Sequence, residues 1–235
     1  MLESLLAVTS HPSPLLSVDE FHDWYEKEHI PLRLNFLKDF LSGARYRVCS
    51  LRPDQTLEDE QQTPQDDENS TSSWLALYTL TSSAVFSSSA YTDLRTNRSD
   101  REKNVMSRIK ELTRLTGDVV DVWCHDEVKT TGFTPGRPSE WVVTHRLRIR
   151  DQDGAVDRKI KSWAPHIRDW QAKDGSGWAR TRLVRVLETG VSHFGVSVNA
   201  TGADKEIDMP YYAVHGEYNF IPCNSHMLIY CHRIH

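Results

Sequence analysis

SVDEFHDWYEKEHIPL, residues 17–32, reads as an amphipathic helix carrying its own start signal. Ser17 followed by Glu20 is a capping box, and the acids of the first turn suit the helix dipole. At about 100° per residue, Phe21, Tyr25, Glu28 and Leu32 share one stripe, with Trp24 on one flank and His22 and His29 on the other. Two histidines and a glutamate thus border an aromatic face. Pro31 has no amide hydrogen and is expected to end the regular hydrogen bonding.

Outward from that helix, SLLAVTSH at 4–11 is short, apolar and β-branched and predicts a first strand. ARYRVCSL at 44–51 predicts a second and WLALYTLT at 74–81 a third. Residues 83–96 and 99–116 are read as helical. In the second of these, Val105, Ile109, Leu112 and Leu115 keep helical spacing and Gly117 closes the segment. DVVDVWCH at 118–125 is a fourth strand, so the order is βαββαβ.

TGFTPGRPS at 131–139 concentrates Gly and Pro like a linker, and the pattern then begins again. Trp141, Val143, His145, Leu147 and Ile149 alternate with Thr144 and arginines, as in an amphipathic strand. Val156, Ile160, Trp163, Ile167 and Trp170 make an apolar helical face. GWARTRLVRVL (177–187), YYAVHGEY (211–218) and residues 227–232 are strands. Between Tyr218 and Met227 there is no room for a second helix. RYRV at 45–48 answers RLVRV at 182–186, each about a dozen residues past a histidine near a helix end, His29 and His166. The reading is a tandem repeat whose second copy is degenerate, with units at 1–130 and 137–235.

Composition bounds the function. Net charge is −5, and the seven acids between Asp54 and Glu68, unrelieved by any base, leave the rest of the chain at +2. A near-neutral body with no basic stripe argues against a nucleic-acid partner. Residues 53–72, acidic and rich in Gln, Ser and Pro, are expected to be a disordered loop. No stretch approaches the roughly 18 apolar residues of a membrane span. The first residues do not read as a signal peptide, so a cytoplasmic protein is expected. Cys49, Cys124, Cys223 and Cys231 show no metal-binding spacing. No glycine-rich phosphate loop and no G-x-S-x-G are present, which argues against nucleotide cofactors and α/β-hydrolase chemistry.

FHDWYEKEHIPL at 21–32 resembles the aromatic–W–Y–x–x–E–H–x–P–L signature of the EthD-like proteins, within the dimeric α+β-barrel superfamily; seven positions in twelve agree in type. WLALYTL at 74–80 is also typical, and GWARTR at 177–182 extends the resemblance weakly into the second unit. The resemblance implies an α+β chain of two ferredoxin-like units whose antiparallel sheets pair into an intrachain barrel, a pseudo-dimer. It also implies cofactor-independent decarboxylases, cyclases or dehydratases of aromatic polyketide pathways, with quinone-forming monooxygenases and haem enzymes among related barrels.

His29 matches the family histidine and can transfer protons near neutral pH; the plainer alternative is a histidine capping the helix dipole. His22 lies one heptad earlier with Glu26 between, but the spacing is not that of a helical metal-ligand pair, so no metal is expected. His145 and His215 alternate with apolar residues on strands, where a histidine either lines a pocket or is a satisfied core residue. His166 pairs with His29 by text, whereas the helical faces put Ala164 there. Catalytic candidates are therefore His29, His145, His215, Tyr25 and His166. Phe21, His22, Trp24, Tyr78, Trp163 and Trp178 are candidates for the wall of a cavity that stacks on substrate, or else plain core.

The expected function is a cofactor-independent lyase or isomerase of polyketide or terpenoid metabolism. A histidine would take a proton from a small apolar or aromatic substrate, for cyclisation, decarboxylation or dehydration. Alternatives are a pocket that templates a pericyclic cyclisation without an essential base, a haem enzyme ligated by His29, His145 or His215, and a non-catalytic binding protein. A homodimer is the expected assembly.

Overall fold

The computed structural model describes residues 3–50, 73–124, 139–148, 162, 178–198, 211–218 and 229–233, the backbone alone at 49–50, 145–148, 178, 211–218 and 229–233. The 53–72 loop, the linker core, the helix expected over 156–170 apart from Ser162, and the 219–226 interval fall outside these residues.

Among the described residues, nine strands form one antiparallel sheet. They are β1 (Ser4–Pro12), β2 (Phe40–Ser50), β3 (Trp74–Leu80), β4 (Ile109–Cys124), β5 (Trp141–Arg148), β6 (Trp178–His193), β7 (Val196–Val198), β8 (Tyr211–Tyr218) and β9 (Ile229–Arg233). The order is β4-β1-β3-β2-β9-β5-β8-β6-β7, and a further pairing of β4 with β6 closes eight strands into a ring. Within the first half the order 4-1-3-2 is the ferredoxin-like one. The second half repeats it, with β5, β6, β8 and β9 as its first to fourth strands. The second strand of each half joins the fourth of the other, β2 to β9 and β6 to β4. RYRV and RLVRV thus occupy corresponding second strands. The α+β barrel of two ferredoxin-like units expected from the sequence is the fold observed.

Closure buries described residues on both the inner and the outer face of the first-half strands. Leu5, Ala7, Ala44, Tyr46, Leu75, Leu77, Leu115 and Val119 pack inside with Val142 and Val184 of the second half. On the outer face, Leu6, Trp74, Ala76, Tyr78 and Leu80 pack against helices through Phe21, Trp24, Tyr25, Tyr91 and Val105. All seven residues of β3 are buried, which is why WLALYTL is apolar without alternation. Each fully buried leucine there contributes about 1.5–3 kcal/mol.

The outer layer of the first half holds α1 (Val18–Trp24), a π turn (Tyr25–His29), α2 (Ile30–Phe36), a 3-10 turn (Ser83–Ser87), α3 (Ser89–Thr96) and α4 (Asp100–Met106). Ser17 caps the helix, its hydroxyl accepting from the Glu20 amide at 3.2 Å, while the Glu20 carboxylate pairs with Arg108 instead of closing the box. Pro31 does not end the helix. The π turn, with the Ile30 amide bonded to the Tyr25 carbonyl, widens the backbone just before Pro31, so the ring is accommodated and helix continues to Phe36.

A second correction concerns 99–116. The helix stops at Met106 and β4 begins at Ile109, so Leu112 and Leu115 lie on a strand. Pairing with β1 on one side and β6 on the other outweighs the helical spacing. Gly117 caps nothing. It sits mid-strand at a register shift, where a Cβ would stand 2.3 Å from the Arg185 carbonyl oxygen. Gly117→Ala must push two paired strands apart and is expected to cost about 1–3 kcal/mol in urea unfolding. An unchanged midpoint would show that the β4–β6 seam yields.

The hairpin from β6 to β7 was not foreseen. Phe194 and Gly195 both take positive φ, 50° and 77°, as a two-residue turn of this hand requires. The turn docks on β4 through the Phe194 amide, 2.9 Å from the Ile109 carbonyl. No helix among the described residues is long and apolar enough to cross a membrane.

Candidate functional site

A cavity of about 200 Å³ lies between the outer face of the first-half sheet and its helices. Leu6, Val8, Tyr78, Leu112 and Arg114 come from strands, His29 and Arg33 from the π turn and α2. Tyr91, Arg95, Arg98, Glu102 and Met106 come from α3, α4 and the segment between. Ser192, Gly195 and Ser197 bring the β6–β7 hairpin over it.

The π turn seats His29. Its ring stands 4.4 Å from that of Trp24 and 4.8 Å from that of Tyr25, centroid to centroid. Its carbonyl accepts from Arg33 Nη1 at 2.8 Å. Nδ1 lies 3.3 Å from Glu102 Oε1, within reach but off the line of a formed hydrogen bond. Burial, then the Arg33 charge, push the imidazole pKa down to about 3, against the opposing pull of Glu102. His29 is therefore neutral at pH 7.

Glu102 is the counterpart. The carboxylate is buried, and the same Oε1 is 3.9 Å from Arg33 Nη2 and 3.8 Å from Arg98 Nε. Burial alone would raise its pKa, but His29, Arg33 and Arg98 together hold it below the usual carboxylate range. A buried carboxylate facing a neutral imidazole is an arrangement that can serve proton transfer. With Nδ1 protonated, the ring could turn to donate to Glu102, whose charge offsets part of the penalty that burial and Arg33 place on the imidazolium.

Of the other candidates, Tyr78 lines the same cavity. Its hydroxyl is buried, has no hydrogen-bond partner among the described residues, and has its pKa pushed well up by burial. Tyr25 and Trp24 support the His29 ring from within the helix–sheet core; the Tyr25 hydroxyl is 3.4 Å from Ser10 Oγ. Phe21 is wholly buried core. His22 does not share the cavity. It packs edge-on against Trp74 at 4.5 Å, and burial lowers its pKa. His145 lies on β5 opposite Val214, and His215 on β8 opposite Thr144 and Arg182. Their side chains, that of Trp178, and all of His166 and Trp163 fall outside the described residues.

Glu102 and the cleft arginines Arg33, Arg95, Arg98 and Arg114 escaped the sequence reading. Ser99-x-x-Glu102 is itself a capping box, and Ser99 Oγ does accept from the Glu102 amide at 2.9 Å. Its glutamate side chain turns into the cleft instead of back to the cap, which the motif alone does not reveal.

No group of His, Cys, Asp and Glu suited to a metal occurs among the described residues. A haem, one of the groups the resemblance brings in, does not fit at His29. The cavity of about 200 Å³ is below even the 300–1,000 Å³ that drug-sized ligands occupy, too small for a macrocycle.

No family model matches the chain, and no curated protein does. Solved structures do. A crystal structure titled as an anthrone oxidase-like protein superposes with a TM-score of 0.52 at 7% identity, covering 100% of this chain and 92% of that one. A mutant chlorite dismutase from Candidatus Nitrospira defluvii, in complex with cyanide, gives 0.46 at 8% identity, covering 99% and 90%. At such identities the similarity is one of fold alone.

Proposed function

We propose that this α+β barrel is an enzyme acting on a small organic molecule by proton transfer at His29, assisted by Glu102. The observation that carries the reading is the buried His29–Glu102 pair opening onto a lined cavity. Neutral His29 offers Nε2 as base, and Tyr78, whose hydroxyl stays protonated, can donate to an oxygen that gains charge. Leu6, Val8, Leu112 and Met106 supply an apolar wall. Removing a proton next to a carbonyl and stabilising the enolate serves aldol-type cyclisation, decarboxylation and dehydration alike. A lyase or isomerase of polyketide or terpenoid metabolism is the corresponding assignment. The repeated strand order is best read as a tandem duplication in which the first half kept this cleft.

The test needs no knowledge of the natural substrate. Aryl β-keto acids, aryl 1,3-diketones and polyketide-like anthrones are incubated with protein in D2O, and deuterium at the acidic carbon is followed by mass spectrometry. Wild-type protein must label at least one compound faster than buffer, and His29→Gln must not. Equal labelling by both proteins removes His29 from the reaction.

A further inference from the structure

The charges lining the cleft are unbalanced. Four arginines, Arg33, Arg95, Arg98 and Arg114, face one carboxylate, Glu102, and a neutral histidine, leaving three positive charges in excess within a chain whose net charge is −5. Glu102 is engaged by Arg33 and Arg98. Arg114 has no carboxylate partner among the described residues. Its guanidinium is stacked over Phe86 at 4.3 Å and Tyr91 at 5.6 Å, which fixes its plane. Its Nε and Nη2 are buried and make no hydrogen bond to a described residue. These two atoms form one edge of the guanidinium, the edge that grips a carboxylate through two parallel bonds.

Tyr78 Oη, buried and without a described partner, adds a further donor to the same cavity. Buried donors normally find acceptors, and these two belong to side chains bordering one cavity. The apolar wall of Leu6, Val8, Leu112 and Met106 completes the outline of a ligand with an acidic head and a hydrocarbon or aromatic body.

We propose that the cleft binds small organic carboxylates, with Arg114 holding the carboxylate side-on through Nε and Nη2. This deepens the functional reading by naming the substrate class of the same cavity, and it rests on that reading for catalysis alone. Arg33 and Arg98 are committed to Glu102, and exposed Arg95 steers the anion at the mouth.

Benzoate and its neutral isostere benzamide serve as probes, with binding followed by calorimetry and by the rise in melting temperature at fixed salt. Benzoate should bind in the millimolar range and benzamide at least about tenfold more weakly, since a charge-assisted pair is lost. Arg114→Gln should abolish that preference. Arg114→Lys keeps the charge without the fork, guards against a folding defect, and should weaken benzoate by about tenfold with the melting temperature of the free protein retained. Equal binding of both probes, no binding of benzoate, or benzoate binding unchanged in either variant overturns the proposal. The assay involves no turnover, so it can succeed while His29-dependent exchange fails, and the reverse.

Discussion

Glu102→Leu is expected to destabilise the protein by about 3–5 kcal/mol, the usual effect of stripping one partner from a buried charge cluster. The Glu102 side chain is 2% exposed, and its Oε1 alone faces His29, Arg33 and Arg98 within 3.9 Å. Without it, two guanidinium groups confront each other beside a buried ring. The Arg33 side chain is only 8% exposed and cannot swing into water, whereas Arg98, at 24%, can turn partly outward. That relief places the loss towards the lower end of the range. Urea unfolding at neutral pH measures it, and Glu102→Leu combined with Arg98→Leu should recover part of the loss, because the pair is coupled. A loss below about 1 kcal/mol would mean that the carboxylate behaves as a surface ion pair, and the buried-pair description of the cleft would fail.

The same residue shows where sequence reading stops. The barrel was legible because its strands announce themselves: WLALYTL is buried on both faces, and the text shared by β2 and β6 marks equivalent places in the sheet. His29 was legible because it sits in the signature stretch of the aromatic helix that follows β1. Glu102 was not, since it comes from a different helix and stands in a sequence context that reads as a cap. Arg114 was lost through the period. Val105, Ile109, Leu112 and Leu115 satisfy helical spacing, and on a helix Arg114 has no tie to Leu112. On the strand that pairing with β1 and β6 imposes, Leu112 and Arg114 share one face and line the cleft together, while Leu115 points into the barrel. One wrong period thus removed a binding residue from view. Pro31 misled differently, because a π turn is a backbone irregularity that no spacing rule signals.

His29→Ala should separate catalysis from stability by pH. Against the exchange substrates, removing a general base should lower the rate by about 10²–10⁴-fold. The fold should survive, for Trp24 and Tyr25 keep their contacts with the sheet, although packing against the imidazole is lost at every pH. The pH dependence carries the sharper signature. The folded-state pKa is about 3 against an ordinary 6.5. Above pH 6.5 neither state holds the proton, and stability is undiminished. Below it the unfolded chain takes up a proton that the native one refuses, so wild-type stability should fall by about 1.4 kcal/mol per pH unit, or about 2 kcal/mol between pH 6.5 and 5. His29→Ala lacks that slope, and its stability curve should be flatter by the same amount. Glu102, depressed in the folded state, loses its contribution only below its ordinary 4.5 and does not contaminate this window. His22, also lowered by burial, is present in both proteins and cancels. The difference between the two curves therefore belongs to His29. Parallel curves would mean an imidazole that charges freely, facing water instead of Glu102, and the cleft would then have to act through its shape and its arginines.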